Sequence, residues 1–399
     1  MKKALVFGAG NIGRGFMGQL LSQSGYEVVF LEINGMIVDR LNQERRYPIR
    51  FVSNEGSREI HIHNVRALHC RDIDPVAAEF IDGDIVTTSV GVNALDKIAP
   101  ILAAGLRKRW MYKNMRPLNI LICENRIHAD EYLYNLVSGH LSREELALLR
   151  EKVGFVEVSI GRMVPSGLPG APGGITHNPL EINAEEYEEL PVDRDGFKGE
   201  IPYIKTMVPF SPFDFYIKRK IFVHNMGHSL VAYLGYLRNH EYIYSAIEDP
   251  FIKRIVKNAF DNISRAMAIE YNVDLSLLNA YAADLMKRFD NRALGDTVGR
   301  VARDPVRKLA AGDRFVGAAR ICEKHGILPT SILLGLAAGF LYNEENDSAA
   351  LAIQKYIGEN GIEAAICHFS GLEQKEKLFD TVVSCYNILR NSDSFEEIS

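Results

Sequence analysis

Three side chains within KIFVHNMGHSLVAYLGYL, residues 220 to 237, are of the types that move protons and steady charge: Lys220, Asn225 and His228. The stretch is otherwise apolar and helix-like. Burying such groups without partners costs a few kcal/mol each, so they lie on a wet face or are kept for chemistry. At the 100° per residue of an α-helix they fall within an arc of about 140°, enough to line one wall. A lysine in a cationic or desolvated setting has a lowered pKa and can take the proton of an alcohol, while asparagine and histidine donors stabilise the developing alkoxide. Each residue alone also has an ordinary reading: a snorkelling lysine, an asparagine bonded to backbone, a satisfied buried histidine.

The proton chemistry needs an electron partner, and the N-terminus suggests one. FGAGNIGRGF places Gly8, Gly10 and Gly13, with Asn11 and Ile12 between them, directly after a strand and at the start of a helix. Gly8 permits the tight turn, Gly10 lets a pyrophosphate approach the backbone, and Gly13 lets helix and strand pack closely. The helix N-terminus adds amide donors and a positive dipole. Glu32 ends the next strand, where a carboxylate accepts from the adenosine ribose hydroxyls and repels a 2′-phosphate, so NAD is expected rather than NADP. The glycines could instead make a bare turn, with Glu32 a solvated charge. Gly91, closing TTSVG, borders the cofactor or is a plain strand exit. Arg14 reaches a phosphate or is merely exposed. Asn125 follows a parallel strand at its carboxyl end, where α/β sheets hold ligands, or else simply terminates that strand.

The elements that must position these groups follow from periodicity. KALVF, the glycine turn, IGRGFMGQLLSQSG and YEVVFLE read as a right-handed βαβ unit. DIVTTSV and LNILICEN alternate with helical segments and continue a doubly wound parallel sheet, and GFVEVSIGRMVP offers a further strand. SGLPGAPGG is too rich in glycine and proline for regular structure and reads as a loop, a lid or a surface excursion. Beyond residue 216 long helical periodicity dominates, and the polar tail NSDSFEEIS is expected to fray. The expected fold is therefore α/β: a Rossmann-type sheet over 1–205, then a mostly α-helical catalytic domain over 206–399.

With 399 residues, 47% hydrophobic and 24% charged, the chain is long enough for two cores, and a net charge of −5 carries no nucleic-acid or membrane footprint. Five well-separated cysteines form no Cys-x-x-Cys pair, and no His/Cys/Asp cluster has metal-ligand spacing, so free thiols in a cytoplasmic, metal-independent protein are expected.

The Lys-x-x-x-x-Asn-x-x-His pattern of Lys220, Asn225 and His228, followed by AYLG, resembles the signature of the polyol-specific long-chain dehydrogenases. The likeness extends over nearly the whole chain through FGAGNIGRGF, VTTSVG, CEN, GFVEVSIGRMVP, NPLEI, KRKIFVHNMGH and RDPVRKLAAGDR, in that order. The resemblance implies a Rossmann domain followed by a helical one and metal-independent hydride transfer with NAD. It implies Lys220 as general base, Asn225 and Asn125 as donors to the substrate oxygen, and His228 orienting the substrate. Chain length suits the branch acting on phosphorylated polyols, which implies reversible oxidation of mannitol 1-phosphate to fructose 6-phosphate. Another polyol or a hexuronate remains an alternative, as does a catalytically silent NAD-binding protein. Oligomeric state is not expressed in the sequence.

Asp304 followed by Pro305 reads as an N-cap and first helical residue, ringed by Arg300, Arg303, Arg307, Lys308 and Arg314. Cations beside free amide donors suit a phosphate or a polyol's hydroxyls, although a solvated basic face is the plainer account. By the resemblance, Arg300 and Lys308 match substrate-contacting positions in a branch that takes unphosphorylated sugars. Gly161 and Asn178 stand where the family often carries aspartate.

Overall fold

The computed structural model describes residues 1–164 and 178–391. The glycine- and proline-rich loop from Ser166 and the tail beyond Asn391 lie outside them. Two compact units result, Met1–Ile217 and Lys218–Ser399.

The first unit is built on a six-stranded parallel sheet in the order β5-β2-β1-β6-β7-β8, formed by β1 (Lys2–Phe7), β2 (Tyr26–Glu32), β5 (Val65–His69), β6 (Ile85–Thr88), β7 (Leu118–Ile122) and β8 (Val153–Glu157). This is the doubly wound order, with the reversal between β1 and β6. Alternation along β1 explains burial on both faces: Ala4 and Val6 enter one core cluster, Leu5 and Phe7 the other, and Val28 and Phe30 are divided from Val29 and Leu31 in the same way. The crossovers are α1 (Gln19–Gln23), α2 (Gly35–Glu44), α3 (Ile73–Glu79), α4 (Leu95–Met111), α5 (Ala129–Ser138) and α6 (Arg143–Lys152). A reciprocal Ser142–Glu145 capping box starts α6.

A second, three-stranded sheet joins the hairpin β3 (Arg46–Ser53) and β4 (Gly56–His63) to β9 (Ile182–Ala184), and β10 (Leu190–Asp193) pairs with β11 (Met207–Phe210). The hairpin is absent from the sequence expectation because β4 buries only Ile62 and so lacks an apolar alternation.

The helices of the second unit begin with α7 (Asp214–Lys218), which straddles the division between units, and α8 (Met226–Leu237), α9 (Ile243–Glu248), α10 (Pro250–Tyr271) and α11 (Leu275–Phe289) follow. Then come α12 (Val298–Ala302), α13 (Pro305–Lys308), α14 (Val316–Lys324), α15 (Thr330–Leu341), α16 (Ser348–Ala365) and α17 (Lys377–Asn391). Asp249 caps α10 by accepting from the Phe251 and Ile252 amides, with Pro250 at the first helical position. Helix α15 is apolar all round, Ser331 to Phe340 being buried, and packs against α8, α10 and α17. Among the described residues no helix is long and apolar enough to cross a membrane.

Candidate active site

At the carboxyl end of β1 the chain turns through Gly8 at φ +90°, where a Cβ would sit 2.7 Å from the Ser89 carbonyl oxygen. A Cβ on Gly13 would lie 1.9 Å from the Gly8 carbonyl oxygen, so the turn closes only with glycine at both places. Gly10 differs: nothing lies within 4 Å of a Cβ there, and its backbone faces open space. Asn11 donates to the Val164 carbonyl at 3.4 Å, and Ile12 packs on the core beneath the sheet.

The helix that follows opens as a π-helix, Gly13–Gly18, with all six residues buried. Glu32 joins both strand ends, since its Oε2 accepts from the Ala9 amide at 2.6 Å and its Oε1 from the Ile33 and Asn34 amides at 2.8 and 2.9 Å. A carboxylate offers about four lone-pair sites, so it can still receive ribose hydroxyls. A cleft of about 720 Å³ runs from Gly8 and Gly10 past Glu32 and Cys70 to Lys97 and Ile101. A dinucleotide's adenosine and pyrophosphate fit this cradle in size, backbone access and charge.

Glu124, between Cys123 and Asn125, is a residue the sequence reading passed over. It is 6% exposed, accepts from Thr88 Oγ1 at 2.5 Å and from the Val90 amide at 3.0 Å, and thereby ties the end of β7 to the turn carrying Gly91 at φ +85°. Burial pushes its carboxyl up, against the opposing pull of the Thr88 hydroxyl and the Val90 amide. Asn125 is exposed at the carboxyl end of β7.

Arg14 is not directed at a phosphate. Its Nε donates to the Ala9 carbonyl at 2.5 Å and its Nη1 to Pro179 at 3.1 Å, so a buried guanidinium braces the glycine turn from behind. Arg162 supports the π-helix similarly, donating to the Gly15 carbonyl at 2.7 Å and to Gln19 Oε1 at 2.6 Å. Beside it, a Cβ on Gly161 would meet the Tyr187 ring at 2.8 Å, which explains why no aspartate stands there. Asn178 Oδ1 accepts from the Leu180 amide at 2.9 Å, a turn that aspartate would make equally.

In the second unit Lys220 and Asn225 lie on a π-helical segment, Arg219–Asn225, that passes into α8. The expected α-helical arc is therefore corrected. In an i→i+5 turn, wider than an α turn, residues five apart return to the same side of the helix, and Lys220 and Asn225 are five apart. Both are half-buried, whereas the intervening Phe222, Val223 and His224 are buried. His224 is pushed well down by burial, then by Arg288, His228, Lys220 and Arg314, and is held neutral.

His228 stacks on Phe289 with ring centroids 4.8 Å apart and planes 12° from parallel, and its Nε2 lies 3.0 Å from Asp296 Oδ2. Asp296 also receives Arg300, at 2.7 Å from Nε and 2.6 Å from Nη2 to Oδ1. Burial alone would raise this carboxyl, but His228 and Arg300 together hold it below its ordinary value.

The five expected cations are less alike than their spacing suggests. Asp304 sits at φ +63°, so its side chain cannot cap; it pairs instead with Arg307 at 2.9 Å, and α13 is a single turn. Lys308 is buried, donates to the Val301 carbonyl at 2.6 Å and to the Arg303 carbonyl, and closes the C-terminus of α12. Burial, then Arg314 and Arg307, push its amine down to about 7. Arg314 joins Asp313 at 2.7 Å and Ser229 Oγ at 3.1 Å. Arg303 is exposed. All five cysteines are free thiols, and among the described residues no group of three or more His, Cys, Asp or Glu could hold a metal ion.

A doubly wound dinucleotide-type sheet followed by a helical unit bearing lysine and asparagine on one wide turn, and histidine on the helix it enters, defines a class of two-unit dehydrogenase. The chain matches the mannitol dehydrogenase Rossmann domain over residues 2–206 and the mannitol dehydrogenase C-terminal domain over 213–390. It belongs to the mannitol dehydrogenase family.

It is 38% identical over 388 residues to a mannitol-1-phosphate 5-dehydrogenase of Caldanaerobacter subterraneus subsp. tengcongensis, covering 97% of this chain and 98% of that one. It is 35% identical over 393 residues to the enzyme of the same name from Thermoanaerobacter pseudethanolicus, covering 98% and 99%. Pseudomonas fluorescens mannitol 2-dehydrogenase, solved in ternary complex with NAD and D-mannitol, shares the fold at a TM-score of 0.73 and 16% identity, over 98% of this chain and 92% of that one. A substrate-free D-sorbitol dehydrogenase gives 0.79 at 16%, over 97% and 93%.

Proposed function

We propose that this chain is an NAD-dependent dehydrogenase that interconverts mannitol 1-phosphate and fructose 6-phosphate. The observation that carries the reading is the 38% identity, over 97% of the chain, to a relative named for that activity. The placement of Lys220 and Asn225 on one side of the same π turn supports it, since an amine and an amide donor there suit deprotonating an alcohol.

When bound, NAD supplies the acceptor for the hydride that leaves the carbinol carbon. Gly8, Gly10, Asn11, Ile12, Gly13 and Gly91 would hold it, with Glu32 receiving the ribose hydroxyls and excluding a 2′-phosphate. Lys220, as a neutral amine, takes the hydroxyl proton. Asn225 and Asn125 donate amide hydrogens to the same oxygen and stabilise it as it becomes anionic, then as the ketone forms. His228 orients the substrate. Arg300 contacts it beside His228, and Lys308, which donates to two carbonyls, has a third donor for it while its amine is protonated. The free thiols fit a reducing compartment, and we place the protein in the cytoplasm.

The test is NADH formation with mannitol 1-phosphate beside unphosphorylated mannitol. A strong preference for the phosphate ester is expected. Equal use of both would remove the phosphate from the assignment, and dinucleotide binding with no turnover on any polyol would leave a binding protein.

A further inference from the structure

The second unit contains a buried carboxylate with two partners that the proposed reaction uses separately. Asp296 is 9% exposed and lies between the His228 imidazole and the Arg300 guanidinium, each of its oxygens taking one of them. The segment that carries it is fixed in every direction. The Asp296 carbonyl accepts from the Ile243 amide at 2.9 Å, Thr297 bridges to Tyr242, and the Thr297 hydroxyl accepts from the Arg300 amide at 3.3 Å, starting α12.

The imidazole itself has little freedom. Phe289, stacked on it, sets the plane of the ring, and within that plane Asp296 decides which edge faces inward. Nε2 approaches the carboxylate at 3.0 Å without meeting hydrogen-bond geometry, so the contact is a close electrostatic one; because an ionised carboxylate only accepts, it favours the proton of a neutral imidazole on Nε2 and leaves Nδ1 as the acceptor for a substrate hydroxyl. We propose that Asp296 is the positioning residue of this unit's site: its one carboxylate fixes the tautomer and edge that His228 offers to the polyol and holds Arg300 beside it. This rests on the dehydrogenase reading of the site, although the tautomer does not.

Asp296→Asn in the full-length protein is the informative variant, because the amide keeps an acceptor for Arg300 yet can also donate to Nε2 and so release the proton to Nδ1. Nitrogen-15 spectra of histidine-labelled protein, with His228 assigned through His228→Asn, are expected to show the Nε2-protonated form in the parent and a shift toward Nδ1 in the variant. Turnover with mannitol 1-phosphate is expected to fall on the order of 10- to 100-fold, with the KM for NAD unchanged. Arg300→Ala, which leaves the carboxylate on His228, is expected to raise the KM for the polyol more than it lowers kcat. An Asp296→Asn protein with parental histidine spectra and kcat would overturn the proposal. If the parent itself fails to oxidise mannitol 1-phosphate, the substrate assignment falls while the spectra still decide the role of Asp296.

Discussion

The two units each open their functional helix with a π turn, and they use it in opposite ways. In the first, Gly13–Gly18 is wholly buried and contributes backbone: glycines let the chain approach itself, and Glu32 and Glu124 tie main-chain amides at two strand ends. In the second, Arg219–Asn225 contributes side chains, and the groups around it are held by other side chains, Asp296 on His228 and Arg300 above all. A site for a common cofactor can be made from main chain, which every sequence possesses. A site for one sugar needs particular side chains brought from distant segments.

The sharpest way to break this contrast is Lys220→Ala. It removes a side chain from the second unit and should cost about 10²- to 10⁴-fold in kcat while dinucleotide affinity, measured by NADH fluorescence titration, stays as it was. Unaltered turnover would remove the lysine from the mechanism.

Two glycine variants probe the first unit. Gly13→Ala drives a Cβ against the Gly8 carbonyl, so both melting temperature and NAD affinity should fall, with a stability loss of about 1–3 kcal/mol. Gly10→Ala enters open space and should leave the melting temperature unchanged while weakening NAD. Equal melting temperatures for the two would mean that the close approach at Gly13 is not what holds the turn. Glu32→Gln, a smaller change, should raise the ratio of NADP to NAD use roughly tenfold, which corresponds to about 1.4 kcal/mol.

The smallest effect distinguishes the units by pH. Burial, then Asp130, raise Glu157 to about 7, against the pull of the Ala129 amide. Its folded pKa lies above its unfolded one, so its contribution to stability is whole below about 4.5 and is lost as pH rises through 7. Glu157→Gln keeps the acceptor for Ala129 and should flatten that decline by on the order of 1 kcal/mol, discounted for partial exposure, in denaturant unfolding at pH 5 and pH 8. Lys308 acts with the other sign: its folded pKa is depressed from 10.5 to about 7, so its contribution is whole above 10.5 and is lost as pH falls through 7.

The same contrast decides what could be read from the sequence. The sheet, its helices, the glycine turn and the acid ending β2 were legible because each is a local pattern: apolar alternation, glycines at fixed offsets, a charge where a strand stops. Glu124 left a faint trace, standing beside Asn125 in CEN. Asp296 left none, because nothing in residues 291–297 says that a histidine on α8 will face them. The hairpin β3–β4 escaped because β4 shows no apolar alternation, although the two-residue turn Asn54-Glu55 before Gly56 marks it. Among the cations around Pro305, spacing showed that charge was concentrated there, but the positive φ of Asp304 and the inward turn of Lys308 depend on packing.

The widened turn ahead of α8 makes the lysine's aim a matter of arithmetic as much as of chemistry. An ordinary helix would cover the same height with one residue fewer, so excising a single position between Ile221 and His224 would let the backbone rewind without a break. Every apolar position of α8 could then keep its seat in the core, and the amine, now four residues ahead of Asn225, would still lie within about 40° of it. A protein altered in this way would bind NAD like its parent and keep its amine on the side of Asn225, at the cost of one buried side chain from the core.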